Sequence, residues 1–346
     1  MSSTRLRALA ILVLALIAAA SLPPATLATF PGANGSLVFM RPDADGIFQA
    51  WVADADMTHQ HQITFGPDWD AWFPSWSPDG RRIVFSSHRA DPDRGDDIEI
   101  SDVYTMRPDG SDIRKITDSV GYSGGASWSP DGRWLVYSAD RGRYPAGVGI
   151  YATASDGSGS PRRITTMPST STGQELPRFS PDGKRLVFDE GREIATTDPD
   201  QPTIEQLALF TVRFDGSNLR RITAWEINGQ DADWSPDGRR LVFAGRPAEN
   251  GNIQNVMLAD EDGGHLRLLT QGDGISGDDD SFRYQESFNP AWAPDGSRIV
   301  FARAAYTPAD GFVIGLKTIR PNSTGQTWLA QDEAHQPDWG RILLRH

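Results

Sequence analysis

The sequence predicts an all-β protein, a six-bladed β-propeller of four-stranded antiparallel blades, and three observations carry that prediction. The motif Trp76-Ser-Pro-Asp-Gly80 recurs as Trp128-Ser-Pro-Asp-Gly132, Phe179-Ser-Pro-Asp-Gly183, Trp234-Ser-Pro-Asp-Gly238 and Trp292-Ala-Pro-Asp-Gly296. A further aromatic stands nine residues after each anchor, at Phe85, Tyr137, Phe188, Phe243 and Phe301. Glycine (34) and proline (24) are frequent enough among 346 residues to punctuate many short strands. No long segment shows a 3.6-residue apolar period, so helices are expected to be minor.

The anchors are 52, 51, 55 and 58 residues apart, a period that belongs to propeller blades. In each unit the first strand ends in the anchor, and Pro-Asp-Gly turns the chain because proline presets φ and glycine permits positive φ. The second strand is β-branched and aromatic, as in Arg82-Ile-Val-Phe85 and Arg240-Leu-Val-Phe243. A third strand (Val103-Tyr-Thr-Met106, Leu209-Phe-Thr-Val212) runs into an Asp-Gly hairpin signal at 109–110, 156–157, 215–216 or 262–263. The fourth closes on Ile116-Thr117, Ile164-Thr165, Ile222-Thr223 or Leu269-Thr270. The chain ends supply two half-units. Asn34-Gly35-Ser-Leu-Val-Phe39 lacks a first strand, and His335-Gln-Pro-Asp-Trp339 resembles a first strand with little after it. Together they complete a sixth blade that closes the ring; a seventh would find no residues to build it.

Residues 1–28 read as a secretory signal, with Arg5 and Arg7 ahead of an uncharged apolar run over 8–20 and small residues at Thr26-Leu27-Ala28. The run is short for a transmembrane helix, so a single propeller over 29–346 is expected outside the cytoplasm, periplasmic or secreted, as a monomer without stable membrane insertion. Lys plus Arg is 33 against 46 for Asp plus Glu, a net charge of −13 that argues against nucleic-acid binding. Cysteine is absent, which removes disulfides, thiolate metal sites and cysteine nucleophiles.

The Trp-Ser-Pro-Asp-Gly motif followed by Arg-Ile-Val-Phe resembles the TolB-like, WD-repeat-like β-propeller family, over nearly the whole chain after the signal. The resemblance implies the fold and an envelope-associated, protein-binding role. TolB-like proteins carry an α/β domain before the propeller, whereas here the first blade is expected directly after the signal. Related propellers gate prolyl-oligopeptidase-type enzymes, but no α/β-hydrolase segment is expected here.

Candidate chemistry is sparse. Gly121-Tyr-Ser-Gly-Gly125 fits G-x-S-x-G, but it leads into a strand rather than a helix. His59 and His61 share a face of an outer strand without a third ligand. For an enzyme with an axial site, His88 and His335 are the histidines to inspect. Arg41, Arg89, Arg141, Arg192, Arg246 and Arg303 each follow a second strand; a ring of guanidinium groups could hold an anionic ligand, but local ion pairs with loop carboxylates are the expected role. The Pro-Asp-Gly aspartates are expected to cap their own turns. Arg94-Gly-Asp96 is an integrin-type tripeptide and only three residues long.

No catalytic set and no cofactor are expected; the weak exception is calcium at Asp91, Asp93 and Asp96, in a loop that alternates carboxylates around a glycine. Loops joining second to third strands, and one blade to the next, open on one face and vary in length, whereas the turns on the other face are short and uniform. The candidate binding surface is this loop face, with Trp69, Asp70, Trp72, His88, Arg89, Asp91, Asp93, Asp96, Trp225, Asp278, Asp279, Asp280 and Tyr284. Its carboxylates suggest a cationic or mixed-polarity protein or peptide partner. A propeller lyase or hydrolase is the alternative function.

Overall fold

A computed structural model describes residues 31–89, 100–118, 121–140, 147–166, 168, 170–196, 203–247, 253–272, 284–307 and 311–342. The predicted signal, Arg94-Gly-Asp96, Arg141 and the candidate site residues Asp91, Asp93, Asp96, Asp278, Asp279 and Asp280 lie outside them. The described chain forms six four-stranded antiparallel sheets. Blade 1 is β1 (Asn34–Pro42), β2 (Phe48–Ala53) and β3 (His61–Gln62), completed on its inner side by the final strand β24 (His335–Arg341). Blade 2 is β4 (Trp72–Trp76), β5 (Ile83–Ser87), β6 (Asp102–Met106) and β7 (Arg114–Lys115). Blade 3 is β8 (Ser123–Trp128), β9 (Trp134–Ala139), β10 (Gly149–Ala154) and β11 (Arg162–Arg163). Blade 4 is β12 (Ser171–Phe179), β13 (Arg185–Ala195), β14 (Thr203–Arg213) and β15 (Arg220–Arg221). Blade 5 is β16 (Gln230–Trp234), β17 (Arg240–Gly245), β18 (Asn255–Asp260) and β19 (Arg267–Leu268). Blade 6 is β20 (Tyr284–Trp292), β21 (Ile299–Thr307), β22 (Gly311–Ile319) and β23 (Thr327–Ala330). The predicted six blades and their closure by the chain's two ends are both present.

Six apolar clusters fill the six gaps between blades, and the alternation along each second strand explains them. Ile83 and Phe85 of β5 face blade 1 and pack with Val38, Val52 and Trp76, while Val84 faces blade 3 and packs with Trp128 and Tyr137. The same division repeats around the ring, so every anchor aromatic is buried against the preceding blade. A second strand sandwiched this way buries both faces, which accounts for its continuous apolar run.

The turn motifs are local hydrogen-bond devices. Ser77 Oγ donates to Asp79 Oδ1 at 2.7 Å and accepts the Arg82 N–H at 2.9 Å, and Ser129, Ser180 and Ser235 repeat this. The aspartates therefore cap their own turns, as the motif suggests. In the Asp-Gly turns, Gly263 has φ +87° and a Cβ there would lie 1.8 Å from Ile222 O of the preceding blade, so only glycine fits.

The Ile-Thr ends of the outer strands have a role that spacing did not reveal. Thr64, Thr117, Thr165, Thr223 and Thr270 accept the N–H of Ala50, Val103, Ile150, Leu209 and Val256 at 2.8–3.0 Å. Each hydroxyl satisfies a buried donor where a two-residue outer strand runs out. Thr223→Val is expected to orphan the Leu209 N–H and cost about 1–3 kcal/mol, whereas Thr223→Ser retains most of that stability. Thermal melts of the two variants check this, and equal losses would refute the hydroxyl's role.

Candidate functional site

Innermost strands β4, β8, β12, β16, β20 and β24 wall the axis, and each is interrupted by a register shift. Three residues before every anchor the chain turns into the left-handed region, at Phe73 (φ 53°), Gly125 (62°), Leu176 (52°), Asp231 (54°), Asn289 (47°) and Gln336 (46°). Such bulges aim a side chain out of the regular pleat, and here five of the six line an axial cavity together with Arg178, Asp233 and Asp338. The cavity measures about 30 Å³, room for about two waters and too little for a sugar or a peptide side chain.

Its polar groups also tie the blades together. Asp233 Oδ2 accepts the Trp292 N–H of the next blade at 2.7 Å, and Asp338 Oδ2 accepts the Trp76 N–H at 2.7 Å across the closure. Arg178 Nη1 donates to Ser75 Oγ at 3.1 Å, spanning from blade 4 to blade 2. Burial pushes the carboxyl of Asp231 up to about 6 and that of Asp233 up to about 7, with Arg178 opposing both. Glu175 and Asp189 stand directly opposite each other between β12 and β13. Burial and the neighbouring carboxylates raise both, Asp189 well above its usual value. Among the described residues, no three His, Asp or Glu side chains are grouped to hold a metal ion.

Other sequence candidates separate. His59 Nδ1 meets Asp54 Oδ2 at 2.7 Å, and His61 turns to a backbone oxygen, so the two do not converge. Gly121-Tyr-Ser-Gly-Gly125 runs into β8, where Ser123 is fully buried, with no strand-to-helix elbow. His335 is wedged between Phe48 and Phe288, with Nε2 3.0 Å from Glu333.

On the loop face, Asp70 Oδ1 accepts the Phe48 N–H at 2.6 Å and pins the segment between β3 and β4. His88 Nε2 donates to Asp68 O at 3.1 Å and packs on Trp72. Trp69 lies under the Arg89 guanidinium, 4.3 Å from its ring centroid. Trp225, in a 3-10 turn (Trp225–Ile227), is buried beneath Arg192 and Phe210 rather than displayed. Tyr284 is half-buried beside Glu286, which with burial raises its hydroxyl pKa. Among the described residues the most exposed large hydrophobics are Phe65 at 72% and Phe312 at 60%, both on this face and neither among the sequence candidates. For Phe65, an aromatic just after an outer strand was the available signal.

The local ion pairs predicted for the second-strand arginines are absent among the described residues at four of the positions. Among the described residues, Arg41, Arg89, Arg192 and Arg246 make no salt bridge. Arg41 bonds Gln60 and Glu333 O, Arg192 bonds Gln206 and Arg246 bonds Gln254. Arg303 bonds Ser287 and Gln285. Their positions at strand ends put amides, carbonyls and aromatic faces within hydrogen-bond or stacking distance. The cationic groups that do pair lie elsewhere, as with Arg82 and Arg114 on Asp112.

The molecule is thus a six-bladed propeller whose axis holds only a small polar cavity. Its fold is that of TolB: the structure of TolB from Acinetobacter baumannii superposes with a TM-score of 0.65 at 20% identity, covering 89% of this chain and 67% of that one. An oligogalacturonate lyase in complex with manganese shares the fold at a TM-score of 0.52 and 16% identity, over 86% of this chain and 74% of that one. In sequence, an uncharacterized protein of Agrobacterium fabrum is 27% identical over 283 residues, 68% of this chain and 85% of that protein. The Tol-Pal system protein TolB of Francisella tularensis is 29% identical over 105 residues, 30% of this chain and 22% of that protein. The chain therefore aligns with about a fifth of that TolB's length. No family model matches the chain. The TolB-like propeller suggested by the repeat motif is borne out as a fold.

Proposed function

We propose that this protein acts outside the cytoplasm as a TolB-like scaffold that holds an envelope or extracellular protein segment on its loop face. The observation that carries the reading is the shape of that face. Strands β13 and β14 have eleven residues each and β21 and β22 nine each, against five or six for their counterparts in blades 2, 3 and 5. Blades 4 and 6 therefore rise as walls on either side of blade 5, with Phe312 at the tip of one and Phe65 at the foot of blade 2. Work in the periplasm or medium, proposed for a monomer, is supported as to place by the signal-like residues 1–28 and by the TolB likeness. Among the described residues, no helix is long and apolar enough to cross a membrane. The scaffold role calls for no cofactor; calcium at Asp91, Asp93 and Asp96 is an accessory proposal, checked by a melt with calcium and with chelator.

The test is affinity capture from the native envelope fraction with wild type, Phe65→Ser, Phe312→Ser and, on the turn face, Arg114→Ala. That last residue borders a groove of about 430 Å³ between blades 2 and 3. Loss of the retained protein with the two loop-face variants, and not with Arg114→Ala, is the expected result; the reverse pattern refutes the loop face. Intact mass of the host-derived protein is expected to begin near Thr29. A lyase or hydrolase reading is favoured by one feature, the strongly perturbed carboxylates at the axis. It requires turnover of an acidic oligosaccharide or peptide that Asp233→Asn abolishes.

A further inference from the structure

Arg89 is held differently from the paired cations of this protein. Lys115 reaches Asp102 and Asp118 at 3.0 and 2.7 Å, and Arg185 pairs with Glu261. The Arg89 guanidinium has aromatic neighbours instead: its centre is 4.3 Å from the Trp69 ring centroid and 5.8 Å from that of Tyr104. Among the described residues it has no carboxylate within ion-pair reach and no side-chain hydrogen bond. Burial draws its pKa below the usual arginine value, the mark of a charge separated from water without a counter-ion.

A second observation points to the same spot. Of the eight buried side-chain polar atoms that lack a partner among the described residues, three are Arg89 Nη1, Tyr104 Oη and His88 Nδ1. Tyr104 is only 4% exposed, and a phenol buried that deeply normally finds an acceptor. Arg89 Nη1 and Tyr104 Oη are two hydrogen-bond donors without a partner, on side chains whose guanidinium and ring lie 5.8 Å apart. Beside them, His88 bonds Asp68 O and fixes the segment that carries Trp69. A guanidinium stacked on indole has little rotamer freedom left to lose, so the donors are oriented before anything binds.

We propose that Arg89, Tyr104 and Trp69 form a carboxylate seat on the loop face, which takes an acidic side chain of the bound protein segment. The proposal rests on the scaffold reading and specifies its partner as acidic, in place of the cationic or mixed-polarity partner that the loop carboxylates suggested. The carboxylate accepts from the guanidinium edge and from the phenol, relieving two orphaned donors and one uncompensated charge. Arg41, Arg192 and Arg246, on blades 1, 4 and 5, are likewise held by neutral groups and make no ion pair among the described residues. Lysine at position 89 lacks the planar fork and is a poor substitute.

The experiment measures fluorescence anisotropy of labelled octaglutamate, octaglutamine and octalysine with the full mature chain, with succinate as a competitor, alongside melts of every variant. Octaglutamate is expected to bind at least tenfold more tightly than the other two. Arg89→Gln and Arg89→Lys are expected to weaken it at least tenfold, and Tyr104→Phe severalfold. Competition by succinate at its own low millimolar concentration assigns the seat to free small carboxylates, and overturns the peptide partner. The melting temperature of Arg89→Gln is expected to hold or rise, because an unpaired, partly buried charge has been removed. A lower melting temperature with unchanged octaglutamate affinity makes Arg89 a structural stack and ends the proposal. Octalysine binding that Phe65→Ser weakens also ends it, while leaving the loop-face scaffold intact; retention of no probe by any variant, with envelope capture lost only on the turn face, removes both.

Discussion

Truncation before Glu333 is expected to unfold the ring at temperatures where the intact chain is stable. β24 is the inner strand of blade 1, with Leu37 opposite Trp339 and Val38 opposite Asp338. Trp339 fills the gap between blades 6 and 1 with Phe39, Val300, Ala302 and Leu316, and its Nε1 donates to Gly35 O at 3.1 Å. Asp338 and Arg341 reach on to blade 2, at the Trp76 N–H and at Pro78 O. Loss of the strand opens two blade contacts and bares the edge of β1, where any free strand can pair. The single change Trp339→Ala isolates the packing part, at about 3–5 kcal/mol for a large aromatic removed from a filled core. Circular-dichroism melts of the truncation and of Trp339→Ala, with peptide 333–346 added back to the former, measure both. A truncation that melts with the intact chain would show that the ring is held shut elsewhere.

Asp231→Asn is expected to stabilise the protein at pH 8 about twice as much as at pH 5. In the folded chain the Asp231 carboxyl is raised from 3.8 to about 6 by burial at the axis, against the opposing charge of Arg178. A raised carboxyl holds its proton more tightly folded than unfolded, so its contribution is full below pH 4 and is lost as pH rises through about 6. The shift of about two units corresponds to about 3 kcal/mol at alkaline pH. Asparagine removes the charge, still accepts the 2.8 Å hydrogen bond from Asn289 Nδ2, and tolerates the positive φ of 54°. Asp233, raised to about 7, Glu175 and Asp189 titrate in the same sense and remain in the variant. The check is urea unfolding at the two pH values; an equal gain at both would mean that relief of charge is not the cause.

The fold was largely legible in the sequence, and the site was not. An aromatic anchor, a Pro-Asp-Gly turn and a second aromatic nine residues on are enough to count blades. The axial residues escaped because Phe73, Gly125, Leu176, Asp231, Asn289 and Gln336 share no chemistry. What they share is a backbone bulge three residues before an anchor. Of the candidate loop-face residues that the structure describes, Trp225 is packed away, and Phe65 and Phe312 stand out in its stead. The ion pairs expected for Arg41, Arg89, Arg192 and Arg246 failed for a plain reason: composition counts the acids but does not say which of them a guanidinium can reach.

The sequence by itself determined the blades: their number, their closing strand, and the turns whose hydrogen bonds run between residues two to five apart, as from Ser77 to Asp79 and Arg82. Those interactions are complete within one motif, so a motif read in isolation already implies them. Only the tertiary structure decided how the axis is filled and which charges remain uncompensated. Arg178 meets Ser75 103 residues away, and Asp338 meets Trp76 across 262. Arg89 is set over Trp69 by a loop that Asp70 and His88 hold in place. Contacts of that kind exist only once six blades have closed on one another, because ring closure, not local preference, brings their partners within reach.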